Sequence, residues 1–212
     1  SSHAGLGSTF TLRFNGGSTQ RFELRVPGMH NVFNATAAFA ATRDMGIEPS
    51  VISAALKDFQ GVDRRFQIKS RDGVVVVDDY AHHPTEVRAA LSAAKSGGFR
   101  KIFAVFQPHR YTRTMHLMED FARAFNLADV LLLLDIYPAG ETPIEGVSTP
   151  VLVEKIRSFG HKNVIYAPNY DAIETYVAEN AKDGDAVIVM GAGSVTKLSD
   201  QLAVKLSRDG AA

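Results

Sequence analysis

The stretch Val74-Val75-Val76-Val77-Asp78-Asp79-Tyr80-Ala81-His82-His83-Pro84-Thr85-Glu86 decides the fold. Four β-branched residues end in two carboxylates, a phenol and two imidazoles, and a proline then begins a predicted helix. In an open α/β sheet, ligands bind at the carboxyl ends of the strands. A buried strand over these valines would bring Asp78, Asp79, Tyr80 and His82 to that edge together. Core packing requires none of these polar groups, so we interpret the stretch as part of a functional site.

The composition is typical of a soluble globular protein, with 45% hydrophobic and 22% charged residues. Lys+Arg and Asp+Glu balance at 23 each, so no overall field favours nucleic acid or an anionic membrane. The absence of cysteine excludes disulfides, thiolate metal sites and a cysteine nucleophile. No apolar run approaches the roughly 20 residues that cross a bilayer, and Ser1–Gly5 lack the features of a signal peptide. We expect a cytoplasmic protein that neither enters membranes nor binds nucleic acid.

The first 64 residues differ in pattern from the rest. Residues 10–14 and 20–26 alternate apolar with polar side chains, and Asn15-Gly16-Gly17-Ser18 lies between them, which predicts a β-hairpin. Helices are predicted from about Asn31 to Met45 and from about Pro49 to Phe59. Two strands and two helices can hardly enclose a core of their own. We therefore expect this region to be the end of a larger domain.

From residue 65 onward, apolar strands alternate with amphipathic helices. The predicted strands are Val74–Val77, Lys101–Phe106, Val130–Leu134, Val164–Ala167 and Ala186–Met190. The predicted helices are Thr85–Lys95, Thr112–Phe125, Val151–Phe159, Asp171–Asn180 and Ser194–Leu206. This alternation indicates a parallel sheet that is covered on both faces. The predicted fold is α/β, with a doubly wound, mostly parallel, Rossmann-like sheet.

Two arginines follow the second predicted strand of this sheet. Arg110 and Arg113 lie at the expected start of a helix, where cations oppose the helix dipole. Helix stability therefore does not explain them, whereas a carboxylate or phosphate ligand would. The alternative is a pair of surface arginines without a ligand.

Other candidate groups have simpler alternatives. Asp79 could accept hydrogen bonds from ribose hydroxyls, or it could only cap a helix or brace a loop. At most one of His82 and His83 is expected to be functional, because adjacent residues rarely share one ion. Asn31 and Asn34 could read an adenine edge with their amides, or they could only cap a helix.

The last strand ends in Gly191-Ala192-Gly193-Ser194, which is a context for phosphate binding. The third glycine of the dinucleotide fingerprint is missing, since Thr196 stands in its place. This is weak evidence for a nicotinamide dinucleotide. A stand-alone nucleotide-binding module remains an alternative function, whereas a purely structural domain would leave the polar groups of this edge unexplained.

Six stretches resemble the C-terminal part of the Mur ligases, which build the peptide of peptidoglycan. They are 26–34, 61–66, 78–86, 106–114, 137–144 and 191–194, and they cover nearly the whole chain in order. The resemblance implies a boundary near residue 64. Residues 1–64 would be the C-terminal fragment of the central ATP-binding domain, and residues 65–212 the C-terminal Rossmann-like domain.

The resemblance also implies roles for individual residues. Asn31 and Asn34 match amides that contact adenine, Arg65 matches an arginine that reaches toward the ATP phosphates, and Asp79 matches the aspartate that holds the ribose. Four residues match those that line the pocket for the incoming amino acid: Tyr80, His82, Arg110 and Arg113. The loop with Gly191, Gly193 and Ser194 would close that pocket. No catalytic residue and no metal ligand is assigned to this chain.

The implied reaction is peptidoglycan synthesis by an ATP- and Mg²⁺-dependent amide ligase. ATP phosphorylates the carboxylate of UDP-N-acetylmuramate, and the amino group of L-alanine attacks the acyl phosphate. The alternative within the family is a ligase that recycles murein peptides. The phosphate loop, the carbamylated-lysine region, the magnesium ligands and the UDP-binding domain do not occur in this sequence. We therefore expect the 212-residue polypeptide alone to be inactive, and its oligomeric state stays open.

Overall fold

The computed structural model describes residues 6–14 and 17–207. Asn15 and Gly16 of the predicted hairpin turn, and the N-terminal Ser1–Gly5, lie outside the described residues. The described chain divides into two compact units. The first comprises the described part of Ser1–Val62 together with Ser92–Gly98, and the second comprises Asp63–Leu91 and the described part of Phe99–Ala212.

The first unit contains a two-stranded antiparallel sheet and two helices. Strands β1 (Ser8–Arg13) and β2 (Thr19–Leu24) pair, and helices α1 (Met29–Asp44) and α2 (Pro49–Asp58) follow. A small core forms where these elements meet, and it contains Phe22, Phe39 and Ile52. Helix α1 begins after Gly28, whose φ of 99° is accessible to glycine at little cost.

The second unit is a six-stranded sheet in which helices connect successive strands from the second strand onward. Its elements in chain order are β3 (Gln67–Ser70), β4 (Val75–Asp79), the part of α3 (Pro84–Ser96) up to Leu91, β5 (Ile102–Phe106), α4 (Tyr111–His116), α5 (Met118–Ala122), β6 (Val130–Leu133), α6 (Thr149–Ser158), β7 (Val164–Tyr166), α7 (Tyr170–Asn180), β8 (Ala186–Met190) and α8 (Thr196–Lys205). The strand order is β3-β4-β8-β5-β6-β7. Only β3 runs antiparallel to its neighbour; the other five strands are parallel.

Helices cover both faces of this sheet. Side chains of a strand alternate between faces, and Val105 packs in one buried cluster with Ile173 of α7 and Leu198 of α8. The next residue, Phe106, points the other way, and its ring lies 5.4 Å from Phe121 and 5.2 Å from Phe125. The prediction of a doubly wound, mostly parallel α/β sheet is confirmed.

The structure corrects two predictions. Strand β3 was not predicted, because its four residues are all half-buried and carry no clear alternation. The single helix predicted over Thr112–Phe125 is wrong: Leu117 has φ −113° and ψ 18°, outside the helical region, and divides it into α4 and α5. No helix among the described residues has the length and apolar composition needed to cross a membrane.

Candidate functional site

Four strands of the second unit end at the same level. The register pairs Asp79 of β4 with Met190 of β8, Met190 with Phe106 of β5, and Phe106 with Leu133 of β6. The loops that follow these strands therefore emerge side by side, with the glycine loop (191–194) between the loops after β4 and β5. Neighbouring strands are about 4.8 Å apart, so the two flanking loops begin about 10 Å from each other.

Asp79 ends β4 with a carboxylate that the backbone holds in place. Oδ2 accepts a hydrogen bond from the N–H of Phe66 at 2.9 Å, and Oδ1 accepts one from the N–H of Ala81 at 2.8 Å. Burial raises the pKa of Asp79 to about 6, although these hydrogen bonds and the charge of Arg65 oppose the rise. A carboxylate offers about four acceptor positions. Two remain for ligand hydroxyls, so the group fits a ribose.

Tyr80 and His82 form the next part of the edge. Their rings meet edge to face with centroids 5.2 Å apart. His82 Nδ1 lies 2.8 Å from the carbonyl oxygen of Tyr80, which can only accept. We therefore assign the proton of a neutral His82 to Nδ1, which leaves Nε2 as an acceptor. Glu86 accepts hydrogen bonds from the N–H groups of His82 and His83, and so caps α3.

His109, in the loop after β5, faces the same edge. Its ring centroid lies 6.0 Å from that of His82 and 5.4 Å from that of Tyr137, on which it stacks. Arg113 Nη1 lies 3.3 Å from His109 Nδ1. Because the guanidinium can only donate, the proton of a neutral His109 belongs on Nε2. Burial, and next the charges of Arg113, His82 and Arg110, hold the pKa of His109 below its usual value.

Arg110 has an unusual backbone. It precedes α4 with φ 73° and ψ 137°, a conformation that non-glycine residues rarely adopt. Its N–H donates to the carbonyl of Tyr137 at 2.8 Å, and its carbonyl accepts from Thr114. Its side chain is exposed. Backbone strain of this kind concentrates at functional sites, and the role predicted for Arg110 in ligand binding stays a prediction.

The glycine loop has little room for side chains. A Cβ on Gly193 would lie 3.0 Å from Cγ of Tyr137 and 3.1 Å from Oε1 of Gln107. A Cβ on Gly191 would lie 2.9 Å from Cγ1 of Val195. A side chain at either position would therefore push against its neighbours, whatever the ligand.

Some predicted residues lie elsewhere or act differently. Asn31 and Asn34 belong to α1 in the first unit; neither is the N-cap, since Gly28 holds that position, so the capping alternative is wrong. Asn31 Nδ2 donates to the carbonyl of Pro27 at 2.7 Å, and Asn34 is exposed. Arg65 is exposed in the second unit, where its charge lowers the pKa of Asp79 and of Glu86.

The sequence-based reading missed two residues of this edge. Arg64 donates to the carbonyl oxygens of Gly191 and Gly193. Its neighbour Arg65 has the same chemistry, so the residue types alone do not distinguish the two arginines. In the sequence, His109 lies after the end of β5 and just before Arg110 and Arg113. That position in the loop was the signal that could have identified it as a site residue. Among the described residues, no group of three or more His, Asp or Glu side chains could hold a metal ion.

Comparison with known proteins gives the sequence family. The family model described as Mur ligase, glutamate ligase domain, matches residues 64–193, which is more than half of the chain. The UDP-N-acetylmuramate–L-alanine ligase of Solibacter usitatus is 48% identical over 204 residues. These cover 96% of this chain and 43% of that protein, so the chain spans less than half the length of this relative.

Two solved structures extend the similarity to three dimensions. The UDP-N-acetylmuramate–alanine ligase from Thermotoga maritima matches with a TM-score of 0.78 and 29% identity, over 93% of this chain and 42% of that one. A murein peptide ligase from Psychrobacter arcticus matches with a TM-score of 0.62 and 28% identity, over 95% of this chain and 42% of that one. The family match over the sheet and its carboxyl-end loops confirms the predicted resemblance, and the chain belongs to the Mur ligase family.

Proposed function

We propose that this chain is the C-terminal portion of a cytoplasmic, ATP-dependent ligase that joins L-alanine to UDP-N-acetylmuramate. Residues 1–64 would complete a central ATP-binding domain, and residues 65–212 would form the domain that brings the amino acid. The observation that carries the proposal is the alignment of Asp79, His82, His109 and Arg113 at the carboxyl ends of β4 and β5, the two strands that flank β8. The 48% identity to a ligase of this name supports the choice of substrates.

The exposed apolar side chains of the first unit support its assignment as part of a larger domain. Met29 and Phe33, one helical turn apart on α1, are 63% and 66% exposed, and Val51 of α2 is 59% exposed. Adjacent apolar residues that face water mark surfaces that another part of a protein covers. In this proposal, the amides of Asn31 and Asn34 hydrogen bond to adenine.

The ATP ribose would bind at Asp79, whose two remaining acceptor positions match two hydroxyl groups. Arg65 would reach from its exposed position toward the phosphates. Mg²⁺ bound with ATP would neutralise charge on the transferring phosphoryl group. Since no described cluster of this chain suits a metal ion, we assign its ligands to no residue here.

The amino acid would bind between the loops after β4 and β5. Arg110 and Arg113 would hold its carboxylate, because guanidinium groups bind carboxylates with paired hydrogen bonds. Nε2 of His82 is an acceptor in the neutral ring and would accept a hydrogen bond from the amino group. A fixed carboxylate and a directed amine place the nucleophile for attack on an acyl phosphate, and closure of the loops would exclude water.

The substrate is tested with a full-length ligase that contains this chain. We expect ADP release with ATP, UDP-N-acetylmuramate and L-alanine, and about tenfold higher KM for L-alanine in Arg113→Lys, because lysine cannot reproduce the paired geometry. Arg88 is exposed on α3, so Arg88→Lys is the matched control and should leave the KM for L-alanine unchanged. An unaltered KM for L-alanine in Arg113→Lys would contradict the assigned carboxylate site.

A second family activity, ligation of a murein peptide, is favoured by the structural match to the Psychrobacter arcticus enzyme. Comparing L-alanine with a tripeptide as the acceptor separates the two activities. Faster ADP release with the tripeptide would replace our proposal with the recycling activity. The 212-residue polypeptide assayed alone should release no ADP above background, and ATP binding without turnover in the full-length protein would instead indicate a non-catalytic nucleotide-binding module.

A further inference from the structure

Arg64 connects three segments of the second unit, and no part of the proposed mechanism yet uses it. Its Nη2 donates to the carbonyl oxygens of Gly191 at 2.7 Å and Gly193 at 3.3 Å. Its guanidinium carbon lies 4.7 Å from the centre of the Tyr80 ring, in a cation–π arrangement. Its own carbonyl accepts a hydrogen bond from the N–H of Tyr80 at 2.6 Å. One residue thus holds both Tyr80 and the glycine loop.

Asp78 extends this connection to the other end of the glycine loop. Arg64 Nε lies 3.4 Å from Oδ2 of Asp78, whose side chain is fully buried. The same oxygen accepts a hydrogen bond from Oγ1 of Thr196, the first residue of α8, at 2.7 Å. The glycine loop begins at Gly191 and leads into α8 at Thr196, so the Arg64–Asp78 pair holds both the loop and the start of the helix that follows it.

The contacts also fix how the loop peptides are turned. In a trans peptide, the C=O and the following N–H point in opposite directions, and the chain has no cis peptide among the described residues. Binding of the Gly191 and Gly193 carbonyls by Arg64 therefore turns the N–H groups of Ala192 and Ser194 away from the guanidinium. Without that contact, a loop containing two glycines could turn these peptides freely.

Arg64 holds this geometry with a strained backbone. Its φ is 59°, in the left-handed region that side chains other than glycine rarely adopt. The N–H of Arg64 donates to Oε1 of Gln67, and the next residue but one, Phe66, donates its N–H to Asp79. The conformation that aims Arg64 at the glycine loop therefore also places the N–H of Phe66, one of the two groups that donate to the Asp79 carboxylate.

We propose that Arg64 is a positioning residue that fixes Tyr80 and the glycine loop as two walls of the amino-acid pocket. In this role Arg64 acts through the groups that it orients, Tyr80 and the carbonyls of Gly191 and Gly193. The inference rests on the proposed function for the identity of the ligand, but the orientation of the loop can be measured without any ligand.

The first test measures the loop itself in the 212-residue chain. Hydrogen exchange of the 191–196 amides is compared between the unaltered chain and Arg64→Lys, which keeps the charge but cannot reach both carbonyls and Asp78 together. We expect faster exchange, by about tenfold, in the variant. Arg71→Lys, exposed in the turn between β3 and β4, is the matched control. Equal exchange in all three chains would overturn the proposal.

The second test measures KM values in the full-length ligase. Arg64→Lys should raise the KM for the amino acid about tenfold and leave the KM for ATP within about twofold, since a lost charge-assisted hydrogen bond is worth about one order of magnitude. Thr196→Val, which loosens only the far end of the loop, should raise the same KM less. If Arg64→Lys does not fold, Thr196→Val carries the test, and an unchanged KM for the amino acid would overturn the proposal.

The outcomes separate this inference from the proposed function. If the full-length protein ligates no amino acid but the loop loosens in Arg64→Lys, the proposed function fails and the structural role of Arg64 stands. If ligation occurs and the loop loosens with no change in the KM for the amino acid, the loop is not a wall of that pocket and the inference fails.

Discussion

Arg100 donates a 2.7 Å hydrogen bond from Nη2 to Oδ2 of Asp185, whose side chain is fully buried. The same oxygen accepts from the N–H of Lys182 at 2.9 Å. Both residues precede parallel strands, Arg100 before β5 and Asp185 before β8, so the pair lies at the amino ends of the strands. The polar groups of the candidate site lie at the opposite ends. This pair therefore serves stability and can be altered without touching the site.

We expect Arg100→Ala to lower the free energy of unfolding by about 1–3 kcal/mol, because it leaves a buried carboxylate without its cation. The lower part of that range is favoured, since the Arg100 side chain is 49% exposed. Urea denaturation of the 212-residue chain measures the change. Arg88→Ala, an exposed arginine of α3, should change it by less than about 0.5 kcal/mol; equal effects would show that the ion pair contributes nothing.

The raised pKa of Asp79 predicts a specific pH dependence of stability. Its pKa of about 6 in the folded protein exceeds the ordinary value of 3.8, so the folded state holds a proton that the unfolded state has lost between these values. The stabilisation is complete below pH 3.8 and is lost as the pH rises through 6. Relative to Asp79→Asn, the unaltered chain should lose roughly 1–3 kcal/mol of unfolding free energy between about pH 4 and pH 6.5.

Urea denaturation at several pH values measures this difference. The two chains differ only at residue 79, so contributions of the other titrating groups cancel. A constant difference across the range would mean that the Asp79 carboxylate is solvated in solution.

The pKa of His109 is predicted to depend on Arg113. Burial is the largest cause of its lowered pKa, and the adjacent guanidinium is the next. Arg113→Gln removes that charge, so the pKa of His109 should rise, as followed by NMR of the imidazole during a pH titration. Arg123→Gln, whose guanidinium packs on Phe159 instead, provides the comparison. An unmoved His109 titration in Arg113→Gln would exclude the contact.

Gly193→Ala should destabilise the second unit by about 1–3 kcal/mol through overpacking. The added methyl would meet the Tyr137 ring and Gln107 at 3.0–3.1 Å, and Tyr137 is stacked on His109. Thermal and urea unfolding measure the loss. Ser194→Ala adds no atoms at the neighbouring position and should change stability by less than about 0.5 kcal/mol; similar losses in both variants would show that the packing argument fails.

Much of the fold was predictable because a buried strand appears in the sequence as a local run of apolar residues. Strands β4, β5 and β8 begin as near-continuous apolar runs, and Asp78, Gln107 and Gly191 mark where these runs stop. Strand β3 has no such apolar run, because it lies at the edge of the sheet and is only half-buried. The order of the strands depends on contacts between distant parts of the chain, and hydrophobic periodicity carries no information about it.

The sequence predicted which loops form the candidate site, but not which side-chain atoms pair within it. Consecutive arginines at 64 and 65 have the same chemistry, and only their backbone conformation decides that Arg64 turns toward the glycine loop while Arg65 stays exposed. The tautomers of His82 and His109 depend on single hydrogen bonds to Tyr80 and Arg113. Such pairings form only after the strands have aligned.

The place of β8 in the sheet has a consequence for biosynthesis. Among the described strands, β8 is the last to be synthesised, yet it lies between β4 and β5 and pairs with both. A nascent chain that has emerged only as far as β7 has two partly built sheet halves with a gap where β8 belongs. Sheet closure must therefore wait until almost the whole unit has left the ribosome, and a premature stop before residue 186 would remove the centre of the sheet rather than its rim.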